Sequence, residues 1–237
     1  MATQADLRSE LQLLAGRRIY FGHQSVGANL LDGVQTLAAE HAVAMPVNEV
    51  PQARAIEAGG FSHVFVAENG DPLRKLGSFA AALGEEAPVD VALLKFCYVD
   101  VKARTDVQAL FARYREAVDM MRAKNPRTVF VHVTVPLTVA QAGLKALAKR
   151  VLGRVPDNVR REEYNELMRR TYAAREPIFD LARLQSVSPN ETRGADGGHL
   201  NAEGRRYLAR QLIGVLATAA RPLQKIDDSA TPARFPR

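Results

Sequence analysis

Arg18-Ile19-Tyr20-Phe21-Gly22-His23-Gln24-Ser25-Val26-Gly27 is the stretch on which the fold turns. Its first four residues read as a buried strand that ends at Gly22, and apolar residues from Val26 to Leu37 return with helical spacing. A strand, a tight loop and a helix in that order are the opening unit of an α/β fold.

The same alternation extends in both directions. Upstream, Asp6 to Leu14 has the pattern of a short amphipathic helix. Downstream, Ala42 to Val47 and His63-Val64-Phe65-Val66-Ala67 read as second and third strands. Asn69-Gly70-Asp71-Pro72 is a turn signal, and Leu73 to Leu83 is helical. Val89-Asp90-Val91-Ala92-Leu93-Leu94-Lys95-Phe96 is a nearly continuous apolar run, the pattern of a central strand covered on both faces. Thr128 to Val135 is similar and stops at Pro136. Helices are predicted over Ala103 to Arg122, Asp157 to Ala174 and Asn201 to Ala220, with a short strand from Pro177 to Leu181. Strands separated by helices of this length require crossover connections, hence a mostly parallel sheet in a three-layer α/β/α domain. Ligands of such sheets lie beyond the carboxyl ends of the strands. The expected division is a lead-in helix over 1–17, one α/β domain over 18–220, and a flexible or surface-docked extension over 221–237.

The composition agrees with a single globular domain. The chain has 237 residues, 47% hydrophobic and 24% charged, which excludes collagen-like, mucin-like and wholly disordered chains. One cysteine, Cys97, excludes an internal disulfide and any multi-cysteine zinc or iron-sulfur site. The net charge of +6 is concentrated partly between Lys145 and Arg161, but no aromatic-basic platform, histidine-rich finger or recognition-helix pattern accompanies it. No nucleic-acid partner is therefore expected. No segment approaches the apolar length of a membrane span, and the amino-terminus lacks the pattern of a signal peptide. The expected location is cytoplasmic, unless a leader has been removed.

Two stretches carry chemistry. Ser25 stands in the turn between strand and helix, where backbone N–H groups and the helix amino-terminus can stabilise charge developing on a substrate oxygen. The same position also suits a serine that merely caps the helix. His23 is either a site residue or a histidine satisfying its loop. The second stretch is Asp196-Gly197-Gly198-His199-Leu200-Asn201, just before the last helix. A carboxylate three residues from an imidazole across two glycines can bend back and fix the ring's tautomer. A structural turn with a cap at Asn201 is the alternative.

Taken together, the two stretches resemble the SGNH hydrolase superfamily of GDSL-type esterases and lipases. The final block, Asp196 to Gly204 (DGGHLNAEG), is its closest match; the first block reads His23-Gln24-Ser25 in place of Gly-Asp-Ser. Tyr164-Asn165-Glu166-Leu167 and Ile178-Phe179-Asp180-Leu181 resemble the run-up to the final block. The resemblance spans Arg18 to roughly Leu216. It implies a flavodoxin-like sheet and a serine esterase or deacetylase with no cofactor, acting on a small-molecule or glycan ester of short acyl or O-acetyl type. Ser25 becomes the nucleophile, His199 the base and Asp196 its orienter. The oxyanion donors become the Ser25 N–H and that of Gly70, with Gly77 as the alternative to Gly70.

The third block departs from the family. Where Gly-x-Asn-Asp is customary, this chain reads Lys95-Phe96-Cys97-Tyr98-Val99-Asp100, and Lys95 or Tyr98 becomes the candidate substitute for the missing amide. Asp100 matches the final aspartate. Loss of one oxyanion donor costs about 3 to 4 kcal/mol. That departure motivates a second expectation, a catalytically weak protein that binds carbohydrate or a protein partner in the same cleft. Basic residues Arg74, Lys75 and Lys95 suggest a third, a phosphate-linked substrate. Cys97, at the end of an apolar strand, reads as a buried structural residue, and His23, Asp71, Asp100, Asp196 and His199 have no recognised metal-ligand spacing.

Overall fold

The computed structural model describes residues 4–138, 156–187 and 199–229. In chain order the elements are α1 (Gln4–Ala15), β1 (Arg18–His23), α2 (Val26–Glu40), β2 (Val47–Glu49), β3 (Gly60–Phe65), α3 (Pro72–Leu83), β4 (Val91–Leu94), α4 (Val107–Lys124), β5 (Val129–Val133), α5 (Asp157–Tyr172), β6 (Ile178–Phe179), α6 (Leu181–Val187) and α7 (Ala202–Ser229). Among the described residues six strands form one sheet in the order β2-β3-β1-β4-β5-β6, and every pairing is parallel. Setting aside the three-residue edge strand β2, the order is that of a flavodoxin-like sheet.

Alternation along β1 divides the core in two. Ile19 and Phe21 point to the layer of α1, α2 and α7, whereas Tyr20 points to that of α3, α4 and α5. Both faces of the central strands are covered, which explains their unbroken apolar runs. The lead-in helix belongs to this core: Leu7, Leu11 and Leu14 recur on one helical face and pack with α7. α2 and α7 approach so closely that a Cβ on Gly33 would fall 2.3 Å from the carbonyl oxygen of Arg205. Only glycine allows that contact.

Four predicted elements need correction. The second strand is Val47–Glu49 rather than Ala42 to Val47, because Pro46 has no N–H to donate; Val43 and Met45 instead pack on the core outside the ladder. The third begins at Gly60 and ends at Phe65, since the chain leaves the sheet before Val66. α6 forms where the sequence pattern predicts no helix, and the last helix reaches Ser229 instead of ending at Ala220. The fourth helix starts at Val107 rather than Ala103, capped by the Asp106 side chain on the Ala109 N–H at 3.0 Å. Among the described residues no helix is long and apolar enough to cross a membrane.

The strand order reverses between β1 and β4, because β1 leads to β3 on one side while β4 continues to β5 on the other. The crevice beyond their carboxyl ends is where doubly wound sheets bind ligands. The turn after β1 and the loop after β4 flank it, the first carrying Ser25 and the second running from Lys95 to Asp100.

Candidate active site

Ser25 links β1 to α2 with φ 28° and ψ −88°, a positive φ that non-glycine residues adopt at a cost of about 1–3 kcal/mol. It occupies the cap position of α2, yet its side chain makes no capping hydrogen bond. Capping therefore does not explain the serine. Its neighbours hold the strained turn in place. The Gln24 amide donates to the Val66 carbonyl, the Val66 N–H donates to the His23 carbonyl at 3.1 Å, and the Gly27 N–H donates to the Gln24 carbonyl at 2.8 Å.

His23 lies fully buried beside this turn and pairs with His63 across 3.2 Å, from Nε2 to Nδ1. Gly27 makes room for its ring, since a Cβ there would come within 2.3 Å of the His23 Cβ. Burial, reinforced by the charges of His63 and Lys95, pushes the imidazole down to about 3. His23 is thus a neutral core group and not a base for the reaction.

The second chemical stretch returns to the same place. The Leu200 N–H, next to His199, donates to the Asn29 Oδ1 at 3.2 Å across 171 residues of sequence. Asn29 lies one helical turn beyond Ser25, and its own N–H donates to the Ser25 carbonyl at 3.3 Å. Asn201 caps α7 through the Gly204 N–H at 2.7 Å, so the cap expected there exists, with the half-buried His199 two residues ahead of it. Asp196 lies outside the described residues.

The expected oxyanion glycine has a different partner. Gly70, with φ +99°, donates its N–H to the Asp100 Oδ1 at 2.7 Å, which commits that donor within the protein. Gly77 sits inside α3, where its N–H belongs to the helical ladder. Asp100 also accepts from the Cys97 N–H at 2.6 Å and from the Lys75 ammonium at 2.6 Å; Lys75 in turn donates to the Asn69 Oδ1 at 2.7 Å. Both side chains of the Lys75–Asp100 pair are 0% exposed. Two bonds of this network, Gly70 to Asp100 and Lys75 to Asp100, span 30 and 25 residues of sequence and join the loop after β3 to the loop after β4.

Lys95 and Tyr98, the two proposed substitutes for the missing asparagine, sit differently. Lys95 is 0% exposed; its ammonium donates to the Phe96 carbonyl at 3.2 Å and lies 3.5 Å from the Cys97 Sγ. Lys75 and Lys95 are both interior, so neither can serve as a surface anchor for a phosphate-linked substrate. Tyr98 is partly exposed, with its carbonyl held by Arg161 Nε at 2.8 Å and its ring under the Arg161 guanidinium, 5.7 Å from the ring centroid. Arg161 reaches this loop from α5, and four residues on Asn165 clamps the backbone of Val135 at 2.7 and 2.9 Å. The run-up motif around Tyr164 therefore fixes the loops after β4 and β5. Among the described residues no three His, Cys, Asp or Glu side chains are gathered as a metal site.

No family model matches the chain, and no curated protein matches it. Solved structures do. It is similar to a lipase/acylhydrolase from Enterococcus faecalis, with a TM-score of 0.57 at 16% identity, covering 85% of this chain and 96% of that one. A carbohydrate esterase family 3 structure from Talaromyces cellulolyticus gives a TM-score of 0.56 at 13% identity, covering 86% and 97%. A proposed SGNH hydrolase from Slackia heliotrinireducens gives 0.51 at 16% identity, covering 85% and 99%. With its six parallel strands and the Ser25 turn at the point where their order reverses, the chain has an SGNH-hydrolase-like α/β/α fold.

Proposed function

We propose that the protein hydrolyses carboxylic esters through Ser25, with His199 as general base and Asp196 as its orienting carboxylate. The observation that carries this reading is the Ser25 turn itself: a strained serine whose hydroxyl is not spent on its helix, linked through Asn29 to the residue after His199. Ser25 Oγ attacks the ester carbonyl while its proton passes to His199. The Ser25 N–H, at the amino-terminus of α2, faces the resulting oxyanion. Collapse of the tetrahedral intermediate breaks the bond to the alcohol, which leaves with the proton from His199. Water then gives a proton to the same imidazole, attacks the acyl-enzyme and releases the acid, restoring Ser25. The similar lipase/acylhydrolase and carbohydrate esterase favour short acyl or O-acetyl groups, on a small alcohol or a glycan.

Intact mass after incubation with a fluorophosphonate tests the assignment. One adduct on the wild type, absent from Ser25→Ala, is expected, and Ser25→Ala should lose at least about a thousandfold in ester turnover while staying folded. Turnover retained by Ser25→Ala overturns it. The commitment of the Gly70 N–H to Asp100 favours a second reading, a weak or inactive hydrolase that binds glycan in the same cleft. Saturable glycan binding with no adduct and no turnover identifies that case.

A further inference from the structure

Resting on the assignment of Ser25 as nucleophile, we propose that Lys95 is a fixed interior positive charge that stabilises the anionic oxygen formed at Ser25, in place of the asparagine amide absent from this chain. Its backbone ties it to the strand that carries the serine, since the Lys95 N–H donates to the Gly22 carbonyl at 2.9 Å. The ammonium touches the Phe96 carbonyl and the Cys97 Sγ, and it lies within electrostatic reach of His23 on β1, Lys75 on α3 and Asp100 in its own loop. Of these, Asp100 is the one carboxylate, and Lys75 holds it at 2.6 Å. Two buried ammonium groups share one buried anion, and Lys95 is left with a carbonyl and a thiol.

An interior ammonium without its own counterion is expensive, and a methionine would fill the same volume without that cost. The compensation arises when a negative charge appears nearby. In a dry interior a charge acts over several ångströms, so Lys95 needs no contact with substrate, which its complete burial in any case prevents. Burial moves its titration below that of an ordinary lysine, opposed by Cys97 and Asp100 and assisted by Lys75. The stabilisation is therefore present while the group is protonated and is lost as pH rises through its titration, earlier than for a surface lysine.

The test compares wild type, Lys95→Met and Lys95→Arg for the rate of phosphonylation by a fluorophosphonate from pH 6 to 10, with Ser25→Ala as control and thermal unfolding measured alongside. Attack on the neutral phosphoryl centre creates the same kind of oxyanion. Lys95→Met is expected to react about 10- to 100-fold more slowly at neutral pH. That gap should close as pH rises, Lys95→Arg should recover part of the rate, and Lys95→Met should melt at a higher temperature than wild type. A role in packing alone predicts a pH-independent gap and a lower melting temperature. Equal rates, a constant gap, or a Lys95→Met protein that fails to fold each overturn the proposal. An unlabelled wild type overturns the serine assignment itself and removes the basis for a role of Lys95.

Discussion

The turn after β1 and the loop after β4 stand side by side at the carboxyl edge of the sheet, yet they treat their polar groups in opposite ways. In the first, a serine is held at φ 28° with no capping bond from its side chain. In the second, one carboxylate, Asp100, accepts from two backbone N–H groups and an ammonium, all between 2.6 and 2.7 Å. Reactivity requires a group whose hydrogen-bonding capacity is left open, and that group is held in position only if its surroundings are fully satisfied. The saturated loop meets the strand that leads into the strained turn through the Lys95 N–H, which donates to the Gly22 carbonyl at 2.9 Å.

The sharpest way to break this contrast is to unlock the saturated side. Asp100→Ala leaves the buried Lys75 ammonium and the N–H groups of Gly70 and Cys97 without their acceptor. A loss of about 3–5 kcal/mol in urea unfolding is expected. Acid probes the other side. His23 is held neutral down to about pH 3 in the folded chain, whereas an unfolded histidine takes its proton near 6.5. No stability change comes from this group above pH 6.5, but below it the unfolded state binds the additional proton and about 1.4 kcal/mol is lost per pH unit. Unfolding free energies measured at pH 6, 5 and 4 should fall along that slope, less steeply in His23→Gln.

Smaller effects come from the tether and from the strain. Asn29→Ala removes the acceptor for the Leu200 N–H and should lower kcat about tenfold with little change in KM, as steady-state kinetics on an aryl acetate would record. Ser25→Gly relieves the positive φ and is expected to raise stability by about 1 kcal/mol while abolishing turnover. A fall in stability would mean that the turn is not strained.

Much of this was legible in the residues. Strands covered on both faces are written as apolar runs, so β1, β4 and β5 were located within a few positions. β3 was displaced because it begins with Gly60 and Ser62 lies within it, residues with little strand propensity, while the apolar Val66 already belongs to the loop. α6 is too short for its periodicity to stand out. At the site, the setting of Ser25 between strand and helix could be read directly, and so could the cap at Asn201. The Lys75–Asp100 pair could not. Its members are ordinary surface residues by type, and only the tertiary fold makes both of them interior.

The missing side chain at Gly33 has a mechanical meaning. α2 begins at Ser25 and α7 begins just after His199, and the two helices touch where Gly33 meets the Arg205 carbonyl. Any larger residue there would act as a shim, driving the helices apart and shifting their starts relative to each other. A position two turns along α2 thus serves as the gauge that sets the gap between the proposed nucleophile and its base.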